Sequence, residues 1–302
     1  MAIRKSTLKL YCKAFLTKWD YFWFKPDSLV TLGIVRILTG ITIMATIAGV
    51  AQSFPIFLTD EGFYSSFYNQ NMPQGLFHFF QNSIDNVKIY LSWVFFHAFL
   101  FTIGFFTRFQ TIILFLGFSS LVSRMGFIAE GADAILTYLL FFFIFMPTGF
   151  SVSLDAYLKK KKEQEYPIWP LRFLQIFVCS IFFGAGIGKI YGSEWLDGTA
   201  LYYIYRVDMY TRLPLPALFT DNLTITALSG YLVVILEVLV PILIWIKKMR
   251  LYALWCAIII HLAIDYILPL YMFEFVMIAV WISFFDSKAF ESLENKYLKL
   301  KT

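Results

Sequence analysis

Charge is scarce in this chain. Only 15% of its 302 residues are Asp, Glu, Lys or Arg, against about a quarter in an average soluble domain, and this shortage excludes an ordinary water-soluble fold. Histidine and cysteine are rarer still, with three of each. Cys12, Cys179 and Cys256 have no pairwise spacing suited to metal or redox work and read as packing residues. His78 and His97 lie far in sequence from His261, and no further His or Cys completes a ligand set, so no metal is expected. Strand-like alternation is missing, which argues against a membrane barrel. The chain also lacks an internal repeat, a low-complexity tract, a detachable soluble domain, a phosphate-cradling loop, a nucleophile elbow and a zinc-binding helix.

What it has in abundance is apolar surface. Hydrophobic residues make up 59% and aromatics 20% of the chain, with a mean hydropathy of +0.69. Apolar runs recur at 28–50, 89–106, 110–127, 132–149, 171–190, 223–246, 251–267 and 270–285. Each is near the length of about 20 residues that a helix needs to cross a hydrocarbon core roughly 30 Å thick. The expected fold is therefore all-α, a polytopic transmembrane helical bundle of about eight spans. Seven is the alternative, because Pro269 alone separates the last two runs. Residues 1–27 lack a signal peptide's apolar core and cleavage site and mix basic with aromatic side chains, as an interfacial segment does. Residues 28–286 form the transmembrane domain and 287–302 a tail. Segments 51–88 and 191–222, rich in Tyr, Phe, Asn and Pro, are expected to fold over the helix ends as an outer cap.

With eight spans and an inner N-terminus, 19 of the 25 Lys and Arg residues fall in inside segments, which sets both termini in the cytoplasm of a plasma or inner membrane. The net charge of +5 is accounted for by these loops, so the expected partner is the lipid bilayer and not nucleic acid. Lys189 falls near the outer surface.

A charged side chain at the centre of a spanning helix costs about 2.5–3.5 kcal/mol on insertion scales, so each one needs a partner or a wet cavity. Arg36, in "LGIVRILTG", either snorkels to inner headgroups or pairs with a buried carboxylate. Glu237, in "YLVVILEVLVPILIW", is neutral or paired with a cation such as Arg36, Arg172 or His261. His261 and Asp265, four residues apart in "IIIHLAIDYILP", share a helical face, which lets the carboxylate orient the imidazole. Asp133 reads as an N-cap of its helix, with Glu130 able to do the same. Tyr202, Tyr203 and Tyr205 beside Trp195 suit an aromatic belt.

The stretch "FFGAGIGKIYGSEWLDGTALYY" gathers several of these signals. Gly184 and Gly188 make a small-xxx-small spacing with Gly186 between them, and such spacing lets a helix or ligand approach the backbone. Lys189 follows at once. If packing keeps it dry, desolvation favours a neutral amine able to take a proton; otherwise it snorkels outward.

"AGIGKIYGSEWLDGTALYY" resembles the small-residue run, Lys and Trp-x-x-Gly shared by vitamin K-dependent gamma-glutamyl carboxylases and the HTTM (horizontally transferred transmembrane) proteins. "LGIVRILTG", "GADAILTYLLFFFIFMPTGFSVSLDA" and "IIIHLAIDYILPLYMFEFVMIAVW" resemble further motifs of that family, in the same order. The resemblance implies a helical chamber that admits a membrane quinone of the vitamin K type as cofactor. It further implies Lys189 as catalytic base, with His261 and Glu237 beside it. Arg36, Asp133, Trp195, Asp265 and Gly186 are the expected substrate- or cofactor-binding residues. The carboxylases carry a His near the start of the helix that begins here at Asp133, and this chain has none there. Three functions follow as expectations: a carboxylase-like enzyme acting on a quinone or lipophilic substrate, an SdpB-type factor for maturation or export of a secreted peptide, and a non-enzymatic membrane scaffold.

Overall fold

Within a bilayer core no water is available to satisfy backbone polar groups, so apolar runs of this length close their own hydrogen bonds as helices. The computed structural model describes residues 2–59, 62, 75–76, 83–159, 165–207, 212–213, 215–270 and 272–290. Among them the architecture is all-α, with thirteen α-helices and one two-residue β pair. The helices are α1 (Ala2–Phe24), α2 (Val30–Phe57), α3 (Ile84–Ile103), α4 (Thr107–Met125), α5 (Gly131–Phe145), α6 (Leu154–Leu158), α7 (Trp169–Ile190), α8 (Ser193–Leu196), α9 (Ala200–Ile204), α10 (Ala217–Thr220), α11 (Leu223–Leu243), α12 (Arg250–Ile267) and α13 (Phe273–Trp281).

Five of these are long and apolar enough to cross a membrane: α2, α3, α7, α11 and α12. The other three expected spans coincide with α4, which carries Arg108, Gln110 and Arg124, and with two shorter apolar stretches, Gly131–Phe145 and Phe273–Phe284. Most of the expected cap at 51–88 lies outside the described residues. The segment 191–222 holds the short helices α8, α9 and α10, all of which pack against α11.

The helices pack in sequential pairs, α2 on α3, α4 on α5 and α12 on α13, with α7 crossing to α11. α12 and α13 form a hairpin around Leu268 and Pro269, and α13 runs inward to touch α2, α5, α7 and α12. Trp281 on α13 is fully buried. Outward-facing Ile89, Phe96, Leu228 and Ile259 are more than half exposed, as lipid-contacting side chains are.

One end of the bundle, the inner one on the charge-count expectation, is tied together by Pro26–Asp27 pairing antiparallel with Tyr166–Pro167. Asp27 also accepts hydrogen bonds from Lys25 Nζ at 3.0 Å and Ser287 Oγ at 2.8 Å. Since α2 and α7 both start beside this clamp, Arg36 lies near the inner end and Lys189, 20 residues along α7, at the outer one. At about 1.5 Å per residue the two are roughly 20 Å apart along the bundle.

Candidate functional site

α7 passes close to α11 at Gly186. A Cβ there would stand 2.9 Å from Val238 Cγ2 and 3.0 Å from Glu237 Cβ, so any larger residue would force these neighbours to shift. Gly184 and Gly188, the expected small-xxx-small pair, have open space in front of them instead. One turn beyond Gly186, Lys189 Nζ donates to both carboxylate oxygens of Glu237, at 2.8 and 2.7 Å. The Glu237 side chain is 6% exposed and that of Lys189 23%. Glu237 is thus paired, but with Lys189, and not with Arg36, Arg172 or His261 as its hydrogen-bond partner. The sequence reading missed this because 48 residues separate the two and nothing local foretells the crossing.

Two further features shape the pair. Pro241, four residues after Glu237, has no N–H to give the Glu237 carbonyl, so the α11 ladder is interrupted at the turn presenting the carboxylate. Trp195, on α8, lies with its ring centroid 5.2 Å from Lys189 Nζ, within cation–π range.

A second acid–base pair lies deeper. His261 Nδ1 is in hydrogen-bond contact with Glu274 Oε2, and Trp281 Nε1–H donates to His261 Nε2 at 3.3 Å. Indole nitrogen only donates, so Nε2 accepts and Nδ1 carries the proton toward Glu274. Both imidazole nitrogens are therefore engaged by the protein. Glu274 Oε1, by contrast, is buried with no hydrogen-bond partner among the described residues. Phe182, two turns before Lys189 on α7, joins the pairs: its ring centroid is 5.4 Å from those of both His261 and Trp281. Two helical turns are about 10 Å, so the Lys189–Glu237 and His261–Glu274 pairs lie along one seam of the bundle with the Phe182 ring between them.

The remaining expected residues lie elsewhere or act locally. Asp265 does not orient His261. It accepts from Arg212 Nη1 at 2.9 Å, because one turn along α12 takes it out of the core to the outer rim, where Arg212 waits. Asp133 and Glu130 form a capping box at the start of α5, with Glu130 N–H donating to Asp133 Oδ2 at 2.8 Å. Arg36 does not snorkel. Fully buried, it donates to the backbone carbonyls of Thr148, Val152 and Thr102 at 2.8, 2.6 and 3.3 Å. It staples the inner ends of α2, α3 and the 146–153 turn.

No group of three His, Cys, Asp or Glu able to hold a metal occurs among the described residues. Comparison with protein families matches residues 24–288 to the HTTM domain. No curated protein and no solved structure matches the chain.

Proposed function

We propose, from the premise that this chain belongs to the HTTM domain family, that it is a membrane enzyme in which Lys189 is the general base toward a quinone or another lipophilic hydroxyl-bearing substrate. The observation that carries this reading is the contact of Lys189 Nζ with both oxygens of the nearly buried Glu237. A paired amine and carboxylate share a proton, and transfer to Glu237 leaves a neutral amine free to take one from substrate. Pairing with a single carboxylate keeps the couple neutral overall, which suits a low-dielectric site.

The residues around Lys189 fit a flat lipophilic ligand. Gly184, Ala185 and Gly188 leave the outward side of α7 bare, Trp195 offers an aromatic face, and Phe182 floors the seam. Glu237 holds the proton that Lys189 gave up, Lys189 takes one from the substrate, and Trp195 steadies the resulting ammonium. His261 is a positioning residue whose hydrogen bond fixes Glu274, so that Oε1 has one orientation. A quinone, when bound, supplies the redox chemistry. Bound quinone is expected in lipid extracts of the purified protein, together with a quinone-dependent activity lost in Lys189→Ala and kept in Lys301→Ala. Full activity in Lys189→Ala ends this proposal.

A second reading, handling of a secreted peptide, is favoured by the outer-end side chains Tyr191, Leu196 and Tyr203, which are all strongly exposed. It predicts that a deletion strain loses peptide processing while Lys189→Ala retains it.

A further inference from the structure

At the inner end, away from the lysine seam, a cavity of about 250 Å³ opens between the start of α4, the end of α5 and the turn before α6. Its walls include Thr107, Arg108, Phe145, Thr148, Asp155, Lys159 and Tyr166. Arg108 and Lys159 are exposed, and neither makes a side-chain hydrogen bond or ion pair among the described residues. Asp155, the carboxylate in the wall, is already committed. Its oxygens accept from Phe106 N at 2.8 Å, Thr107 N at 2.7 Å and Thr107 Oγ1 at 2.7 Å, closing the N-terminus of α4. Behind the wall lies a third cation, because Arg36 holds the Thr148 carbonyl at 2.8 Å. In sequence, Lys160, Lys161 and Lys162 follow directly on Lys159.

We propose that this cavity binds a phosphate group at the inner membrane surface, the phosphodiester of an anionic phospholipid. The two cations at the rim outnumber the one carboxylate in the wall, whose oxygens already accept from the N-terminus of α4, so the field inside favours an anion. Arg108 offers a planar fork matched to phosphate oxygens, and Lys159 a mobile point charge. Acyl chains have a surface to follow: Phe145, in the cavity wall, is 61% exposed, and Phe109, next in sequence to Arg108, is 58% exposed. That apolar track favours a lipid over free phosphate, which has no use for it. A basic pocket between helices at the leaflet is the usual physical form of a headgroup site.

The test uses the full chain in detergent micelles and three probes: short-chain phosphatidylglycerol, phosphatidylcholine of equal chain length and inorganic phosphate. Binding is read by native mass spectrometry or thermophoresis. Phosphatidylglycerol is expected to bind more tightly than phosphatidylcholine. Arg108→Gln with Lys159→Gln should weaken it roughly 30-fold, taking about a fivefold loss for each cation removed near a membrane surface. The exchange Arg108→Lys with Lys159→Arg should keep most of the binding, and Lys247→Gln with Lys248→Gln, basic residues outside the cavity wall, should change nothing. Displacement of the lipid by inorganic phosphate would assign the site to free phosphate, and its failure to displace assigns the site to lipid. Equal weakening in both double Gln variants would reduce the effect to general surface charge and overturn the proposal, as would no weakening in the first. Both cations are exposed, so a melting temperature equal to that of the unaltered protein is expected and checks the fold.

Discussion

Replacing Lys189 by Met strands the Glu237 carboxylate, whose side chain is 6% exposed, without its donor. Breaking a buried pair costs about 3–5 kcal/mol, and the partial exposure of Lys189 puts this case near 3 kcal/mol. Glu237→Met costs less, about 1–2 kcal/mol, since the freed amine still reaches water and the Trp195 ring. The double variant removes both charges and leaves two apolar side chains of suitable length, so it should lie within about 1 kcal/mol of the starting protein. The expected coupling is therefore about 3 kcal/mol. Thermal unfolding in detergent, followed by tryptophan fluorescence, converts these to shifts of about 2–4 °C per kcal/mol for a chain of this size class. Lys189→Met should then melt roughly 6–12 °C lower, with the double variant recovering most of the loss. If the double variant instead falls by the sum of the two single losses, the groups do not interact and the paired site is wrong.

Other perturbations separate the contacts described above. Gly186→Ala forces a methyl to within 3.0 Å of Glu237 and Val238 and should cost about 1–3 kcal/mol, whereas Gly184→Ala and Gly188→Ala, facing open space, should leave melting unchanged. At the inner clamp, burial pushes the Asp27 carboxyl up. Hydrogen bonds from Lys25, Ser287 and the Ser28 N–H, with the Lys25 charge, outweigh it and hold the group below its ordinary value. Its stabilisation is thus present above the unfolded value and lost as pH falls through the folded one, so the melting gap between the parent and Asp27→Asn should be full at pH 7 and close below about pH 4. Asp265→Asn breaks a partly exposed pair with Arg212 and should cost under about 1 kcal/mol, with no effect on the activity assigned to Lys189; a large loss of activity would return Asp265 to the site.

The chemistry of the seam was legible in the sequence, but its pairings were not. Lys189, Glu237 and His261 stand out because ionisable groups in apolar runs are costly wherever they fall. Their partners depend on how helices cross. Periodicity puts Asp265 on the face of His261, yet one helical turn is also the difference between core and rim, and the carboxylate that meets the imidazole comes from α13. Glu274 was hidden because it opens a short apolar helix, where an acidic residue looks like a terminal cap. The three alternating glycines announced a close approach without saying which one makes it. That choice is made by the rotation of α7, which tertiary packing sets. Arg36 was visible as a buried charge, but its three carbonyl acceptors lie in turns that no local pattern marks. Helix positions were read well; α4, whose apolar run includes Gln110 and Arg124, and the two shorter apolar stretches are not among the five helices long and apolar enough to cross a membrane.

The antiparallel clamp at Asp27 and Tyr166 makes the inner end of α7 a fulcrum. Any rocking of that helix is then amplified along a lever about 30 Å long, so a tilt of roughly 5° carries Lys189 about 2.5 Å away from Glu237, enough to exchange one contact for a water molecule's width. A gate of that kind needs no moving loop at the outer rim, only a stiff rod hinged at its far end.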